Sequence, residues 1–145
     1  MTEDTGHSGD VVEALGRAAF TVTAVLTTVG AAHDLSLTQV RVLGILRDRQ
    51  LRMADLAAYL GLERSTLSGL VDRAERRGLV ARQRGDLDRR AIEVTLTDAG
   101  QDLAARAYAE VARAVAPGID RLTAADQAQL AALLGTFLGP DPDVT

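Results

Sequence analysis

Arginine and hydroxyl side chains are concentrated in one stretch of the chain, residues 64–90, and their types suit recognition of nucleic acid. Arginine is the side chain that most often binds guanine through two hydrogen bonds, and serine and threonine hydroxyls bond to bases or to phosphates. The candidates for such contacts are Arg64, Ser65, Thr66 and Ser68. Contacts to backbone phosphates position a protein without recognising sequence. The candidates for these are Arg73, Arg76 and Arg77.

The segment GDLDRRAIEV, residues 85–94, places two aspartates and two arginines within five positions. From Arg90 onward apolar and polar residues alternate, which is typical of a half-buried strand. The paired charges therefore lie at the tip of a predicted hairpin. From the residues alone, this tip is either a solvated turn or a device that contacts another molecule.

The distribution of charge is more informative than the net charge of −4, which by itself argues weakly against a nucleic-acid partner. Residues 64–90 hold eight arginines against four acidic residues, whereas the rest of the chain holds eight arginines against sixteen acidic residues. A basic segment on an acidic body is the electrostatic pattern of a DNA-binding protein. A solvated helix and turn with internal salt bridges would explain the charges equally well.

The residues before the basic stretch predict two helices. Apolar residues recur at alternating spacings of four and three over residues 11–29, which predicts a helix with one narrow apolar seam that ends at Gly30. Thr38 is predicted to cap the next helix, with Leu37 and Val42 as the apolar pair that brackets its first turn. Residues 1–9 are polar and are predicted to be a disordered tail.

A short helix, a glycine turn and a second helix are predicted over residues 53–77. Gly61 is placed to end the helix over residues 53–60, and Gly78 to end the helix over residues 64–77. This is the composition of a helix-turn-helix, in which the second helix lies in the major groove of DNA.

A hairpin and two further helices follow. Residues 79–84 and 90–96 are predicted to be its two strands. Thr97 is predicted to cap a long helix that stops at Pro117, and Thr123 to begin a last helix that ends at Gly139. The predicted fold class is therefore mainly α, with a small wing of two or three β-strands attached to the helix-turn-helix.

Residues 37–103 resemble the MarR family of bacterial transcriptional regulators, through the spaced pattern LA…LG…ST…VDR…GLV…R…DRR…V.LT..G. The resemblance implies a homodimer, in which the first and last helices of two chains interlock and two winged lobes bind a pseudo-palindromic operator. It divides a single domain over residues 10–145 into a winged lobe at about 36–97 and dimerisation helices at about 10–30 and 98–139.

The resemblance also gives the hairpin tip a function. It implies that Arg90, in the motif Asp88-x-Arg90, enters the minor groove while Asp88 and Asp72 orient its guanidinium. A narrow minor groove attracts arginine because its negative potential is enhanced. Arg84 and Arg89 complete the predicted DNA contacts, and whether Arg89 or Arg90 enters the groove stays open at this point.

Family members also bind small aromatic, often anionic, effectors between the dimerisation helices and the winged lobe. The resemblance makes Arg17, Phe20, His33 and Tyr108 candidates for such a pocket, although ordinary packing and surface positions explain these residues better. The expected partners are therefore double-stranded DNA, a second copy of the chain and a small effector.

Several classes of protein are excluded or disfavoured. The chain has no cysteine, which excludes disulfides and thiol-based sensing, and its two histidines make a zinc site a poor hypothesis. No signal peptide or uncharged apolar stretch of membrane-spanning length is found, so no membrane partner and a cytoplasmic location are expected. No catalytic constellation, phosphate-binding loop or cofactor motif is recognisable.

Two interpretations remain. The favoured one is a sequence-specific DNA-binding regulator, a homodimeric repressor that a small ligand releases from its operator. The alternative is a winged-helix dimerisation module that binds a protein and not DNA. The arginine-rich stretch favours the first, because a purely structural module does not need it.

Overall fold

Over residues 5–140, which the computed structural model describes, the chain forms six helices and a three-stranded sheet. In chain order they are α1 (Thr5–Ala32), α2 (Leu37–Leu46), β1 (Leu51–Arg52), α3 (Met53–Leu60), α4 (Arg64–Arg76), β2 (Val80–Arg84), β3 (Ile92–Leu96), α5 (Asp98–Ile119) and α6 (Ala124–Leu138). The predicted fold class, mainly α with a small wing, is confirmed.

The helix-turn-helix forms where local signals placed it. Helix α3 ends at Gly61, which adopts the left-handed conformation (φ 65°) that glycine reaches without steric strain. Gly78 takes the same conformation (φ 72°) just after α4 and turns the chain into β2. The two predicted glycine stops are therefore confirmed.

The sheet is antiparallel, with strand order β1-β3-β2. The hairpin of β2 and β3 pairs Val80 with Leu96 and Arg84 with Ile92. The short strand β1 is the third strand of the wing, which was predicted to have two or three; its position was not predicted, and it pairs Leu51 with Val94. Both hairpin strands begin one or two residues later than predicted, so Arg90 belongs to the turn and not to the strand.

The hydrophobic core lies inside the lobe formed by α2, α3, α4 and the sheet, where apolar side chains from all of these elements meet. Its most completely buried large side chains are Leu46, Leu51, Leu56, Leu67, Val71, Val80 and Val94. Helix α4 buries one side, formed by Leu67, Leu70, Val71 and Ala74, so its opposite side is left for solvent or a ligand.

Helix α5 is fixed closely to the lobe at its first turn. The hydroxyl of Thr97 caps the helix by accepting from the N–H of Gly100 and donates to the carbonyl oxygen of Gly78. A Cβ atom on Gly100 would collide with the carbonyl oxygen of Leu79, so only glycine allows this approach. The start of α5 therefore moves with the winged lobe.

Helix α2 is capped by Ser36, and the prediction of Thr38 as its cap is wrong. The hydroxyl of Ser36 accepts from the N–H of Gln39 at 3.2 Å, while the N–H of Ser36 donates to the side-chain oxygen of Gln39 at 2.8 Å. This reciprocal capping box satisfies two backbone donors at once. The apolar pair that brackets the turn is accordingly Leu35 and Val40, and not Leu37 and Val42.

Two helix ends also differ from the predictions. Helix α1 begins at Thr5 and continues past Gly30 to Ala32, so the predicted disordered tail is wrong for residues 5–9; residues 1–4 lie outside the described part of the chain. Helix α5 continues past Pro117 to Ile119. Proline is tolerated there because it removes only one hydrogen bond, in the last turn of the helix.

The outer helices leave much of their apolar surface uncovered. Helix α6 has no buried residue, and Phe137 and Leu138 are 67% and 76% exposed. Helix α1 from Ser8 to Ala32 is, within residues 5–140, the one helix long and apolar enough to cross a membrane, and 11% of its most apolar window is buried. Arg17 interrupts this stretch without making its composition polar.

Candidate nucleic-acid interface

Helix α4 presents one side to the core and the other to solvent. Leu67, Leu70 and Val71 fix the buried side. The predicted base contacts at the start of the helix, Arg64, Ser65 and Thr66, are exposed, and Ser68 is partly buried. The structure therefore brings these four residues to the accessible end of a rigidly packed helix.

The turn between β2 and β3 has a hydrogen-bonded backbone. The N–H of Gly85 donates to the carbonyl oxygen of Ala91 at 3.0 Å, and the N–H of Ala91 donates to that of Asp88 at 3.1 Å. The side chain of Asp88 accepts from the backbone N–H of Arg90 at 2.9 Å. A Cβ atom on Gly85 would lie 2.9 Å from the Asp88 carbonyl oxygen, so the turn depends on glycine there.

A groove of about 610 Å³ separates the start of α4 from the wing. Five arginines line it: Arg52, Arg64, Arg82, Arg84 and Arg90. Ser68 lines the same groove, whereas Arg89 does not. Clustered cations beside low-dielectric walls focus a positive potential, which raises the local concentration of an anionic partner.

Most of the predicted DNA-contacting arginines have free guanidinium groups. Within residues 5–140, no hydrogen bond or ion pair engages the guanidinium groups of Arg64, Arg73, Arg76, Arg84, Arg89 and Arg90. Ion pairs would have to be broken before an engaged arginine could meet a phosphate. These six side chains can meet a phosphate without first breaking an ion pair.

Arg77 is engaged inside the protein, in contrast to the prediction that it meets a phosphate. Its Nη1 donates to the carbonyl oxygen of Asp34 and its Nη2 to that of His33, both at 2.9 Å. These carbonyls belong to the turn between α1 and α2. This contact could not be predicted from the sequence, because the two segments are more than forty positions apart.

Asp72 pairs with Arg82 and not with Arg90. Its Oδ1 accepts from Nη2 of Arg82 at 2.7 Å, and Arg82 also donates from Nη1 to Glu75 at 3.4 Å. The predicted joint orientation of Arg90 by Asp72 and Asp88 is therefore absent from this structure. Arg82 was not among the predicted site residues. Its place in the strand that follows Asp72 and Glu75 of α4 could have indicated this pairing.

A second cavity, of about 420 Å³, lies between α1, α2 and α5. It is mostly apolar, and its polar lining comes from Arg41, Arg47, Tyr59 and Tyr108. The guanidinium carbon of Arg47 lies 4.4 Å from the centre of the Tyr108 ring, which is a cation–π geometry.

Of the four predicted pocket residues, only Tyr108 lines this cavity. Arg17 and Phe20 are exposed on α1, and Phe20 is 80% exposed. His33 is occupied by a hydrogen-bond contact of its Nε2 with Oε1 of Glu110 at 3.0 Å. The cavity forms between elements distant in sequence, so its arginines could not be identified before the fold was known.

Comparison with known proteins agrees with this geometry. The family model described as MarR family matches residues 33–91. The homoprotocatechuate degradative operon repressor of Escherichia coli is 34% identical over 107 residues, which cover 73% of this chain and 72% of the repressor. The uncharacterized HTH-type transcriptional regulator YfiV of Bacillus subtilis is 38% identical over 66 residues, or 45% of this chain and 41% of YfiV.

Solved structures extend the similarity to nearly the whole chain. The crystal structure of CouR from Rhodococcus jostii RHA1, bound to p-coumaroyl-CoA, is 25% identical and superposes with a TM-score of 0.78. The alignment covers 97% of this chain and 99% of CouR. The helices outside the winged lobe are therefore part of the shared fold.

Proposed function

Because this chain belongs to the MarR family, it is a DNA-binding transcriptional regulator and not an enzyme, and we propose that it is a homodimeric repressor released from its operator by a small ligand. The observation that carries the proposal is the arginine-lined groove between α4 and the wing. The E. coli relative is named as an operon repressor, which supports repression over activation.

In the proposed complex, α4 enters the major groove and the wing reaches the neighbouring minor groove. Arg64 and Ser65 at the start of α4 contact base edges, because that end of a recognition helix faces the bases. Arg73 and Arg76 contact phosphates further along the helix. Two lobes related by a two-fold axis then bind half-sites about one helical turn apart, roughly 34–36 Å.

Arg90 is the proposed minor-groove residue of the wing, with Arg84 and Arg89 on the flanking phosphates. Arg90 lines the groove beside α4, which supports it over Arg89. Its backbone is held by the side chain of Asp88, so the tip is ordered before DNA arrives. Asp72 supports the site indirectly, by holding Arg82 against α4.

A second copy of the chain is the proposed cover for the apolar faces of α1 and α6. Val12 and Phe20 on α1, and Leu133 and Phe137 on α6, are 59–80% exposed. Contiguous exposed apolar faces of this kind mark interaction surfaces. A membrane is the weaker candidate for α1, because Glu13 and Arg17 are exposed on the same helix. We accordingly place the protein in the cytoplasm.

The cavity between α1, α2 and α5 is the proposed effector site. Its volume of about 420 Å³ lies within the usual range for small-ligand pockets. Apolar walls with Arg41, Arg47 and two tyrosines suit an aromatic ligand that carries a negative charge. The p-coumaroyl-CoA bound to CouR supports an aromatic ligand class.

The proposal is tested by selecting fragments of the source genome with the purified protein and titrating the recovered site at several salt concentrations. Counterion release predicts that log K falls with log salt at a slope of about −0.9 for each phosphate contacted. We expect a slope steeper than about −4, because several free arginines flank the groove.

The opposing outcome is a dimeric protein that enriches no fragment and binds duplex DNA with a flat salt dependence. That result would favour the alternative, a winged-helix module that binds a protein partner. A supporting control is Arg106→Ala on α5, which removes one positive charge outside the groove and should leave both the selected sites and the salt slope unchanged.

A further inference from the structure

The C-terminal end of α4 is attached to the end of α1 by one arginine. Arg77, the C-cap residue of α4, donates two hydrogen bonds of 2.9 Å to successive carbonyl oxygens, those of His33 and Asp34. Carbonyls at a helix end lack partners within the helix, and a charged donor satisfies them well. The planar guanidinium group can donate to both carbonyl oxygens at once, which an ammonium group cannot do with the same geometry.

The turn that Arg77 binds is itself held in one conformation. Asp34 has a left-handed backbone (φ 55°), which is uncommon for a residue other than glycine. The N–H of Leu35 donates to the carbonyl oxygen of Gly30 at 2.8 Å. A Cβ atom on Gly30 would lie 2.8 Å from both the carbonyl oxygen of Leu35 and a methyl group of Val40, so the corner is tightly packed. A displacement of α1 can therefore move the whole turn, with the carbonyls that Arg77 binds, as one rigid unit.

His33 is bound from two sides, because its carbonyl oxygen accepts from Arg77 while its ring contacts Glu110 on α5. The ring-to-carboxylate distance is 3.0 Å, and the two side chains are only 19% and 33% exposed. Consecutive contacts therefore run from α5 through His33 to the C-terminal end of α4. Helices α1 and α5 belong to the region that we assign to dimerisation.

We infer that Arg77 is a positioning residue that couples the dimerisation helices to the recognition helix, and does not contact DNA. This inference rests on the proposed function, since it assigns the route by which movement of α1 against α5 changes the presentation of α4. Two guanidinium nitrogens of Arg77 are occupied by protein carbonyls, whereas the guanidinium of the preceding Arg76 is free among the described residues.

Salt dependence separates the two roles of these neighbouring arginines. The full-length protein is titrated with its selected operator as wild type, Arg77→Gln and Arg76→Gln. Arg76→Gln should make the log-log salt slope shallower by about one, as expected for a lost phosphate contact. Arg77→Gln should weaken binding about tenfold with the slope unchanged, because coupling contacts commonly modulate affinity on that scale. Arg77→Lys should recover part of the affinity.

A double-mutant cycle tests the coupling itself. Within residues 5–140, Arg77 and Glu110 share His33 as a partner, so breaking either contact should release the same link. We expect Arg77→Gln combined with Glu110→Ala to weaken operator binding by clearly less than the product of the single effects. For Arg76→Gln combined with Glu110→Ala, the two fold-changes in operator affinity should multiply. Multiplicative effects for both pairs, or a slope change for Arg77→Gln equal to that for Arg76→Gln, would overturn the inference.

Amide hydrogen exchange gives a measurement that needs no DNA. Glu110→Ala should speed exchange at the amides of Arg77 and Gly78, although Glu110 lies on another helix, while the control Asp102→Ala on α5 should not. If the wild type binds no DNA, the proposed function fails, yet this measurement still decides the coupling. Unchanged exchange at the end of α4 in Glu110→Ala contradicts it.

Discussion

The winged lobe and the outer helices use their apolar residues in opposite ways. Among the residues whose burial is described, 8–140, the most completely buried large side chains all lie between α2 and β3, and they form one continuous core. Helix α6 buries none of its residues, and α1 buries little beyond Val29 and Gly30 at its end. The lobe therefore has a complete core within a single chain, whereas the outer helices leave apolar faces that the proposed second copy would cover.

The difference indicates where the two parts of the function reside. A complete core holds α4 and the wing at fixed positions, which DNA recognition requires. Uncovered apolar helices provide a surface that a second copy can share, and an interface of that kind can adopt alternative arrangements that a ligand selects. The cavity with Arg47 and Tyr108 lies between the two regions, where a ligand would affect both.

The largest expected effect tests the completeness of the lobe core. Leu56 is 0% exposed, so Leu56→Ala should lower the free energy of unfolding by about 2–5 kcal/mol through lost contacts and a residual cavity. The matched control is Leu87→Ala at the wing tip, where the side chain is fully exposed and the expected change is within about 0.5 kcal/mol. Denaturant unfolding measures both. Equal losses at the two positions would refute a lobe-centred core.

The next effect tests the uncovered face of α6. Leu133→Glu with Phe137→Glu should raise the dimer dissociation constant at least about 100-fold, because unpaired carboxylates would be buried in the interface. Ala128→Glu with Ala132→Glu adds the same charge on the opposite side of the helix and is the control. Sedimentation equilibrium measures the constant. A dimer unaffected by the first pair would place the interface elsewhere.

The smallest effect concerns the turn between α1 and α2, which joins the two regions. Ser36→Ala removes the cap of α2 and should lower stability by about 0.5–2 kcal/mol, whereas Thr38→Ala should have little effect. Thermal or denaturant unfolding of the two variants side by side measures the difference. A larger loss of unfolding free energy for Thr38→Ala than for Ser36→Ala would show that Thr38 caps the helix.

The sequence was a good guide wherever a local signal was enough to fix a structure. Gly61 and Gly78 were predicted to end their helices, and both adopt the left-handed backbone that favours glycine. The cap of α2 was also decidable locally, since Gln39 lies three positions after Ser36 and completes a capping box. Pro117 misled the prediction because a proline in the last turn of a helix removes only one hydrogen bond.

The partners of charged side chains could not be predicted in the same way. Arg77, Arg82 and Arg90 follow Asp72 by five, ten and eighteen positions, and only the packing of α4 on the sheet brings Arg82 to it. Arg77 binds a turn that is distant in sequence. The cavity lining depends likewise on the meeting of α1, α2 and α5, and of the four predicted pocket residues Tyr108 alone lines this cavity.

Substitution of Arg90 is the sharpest test of whether the groove between α4 and the wing binds the operator. A fluorescence titration of the selected operator should compare the wild type with Arg90→Ala and with Arg106→Ala, after dimerisation of both variants has been verified. We predict that Arg90→Ala weakens binding about 10- to 100-fold, from the loss of roughly 1–3 kcal/mol, while Arg106→Ala binds as the wild type does. Equal affinity of Arg90→Ala and the wild type would show that Arg90 does not contact the operator from this groove.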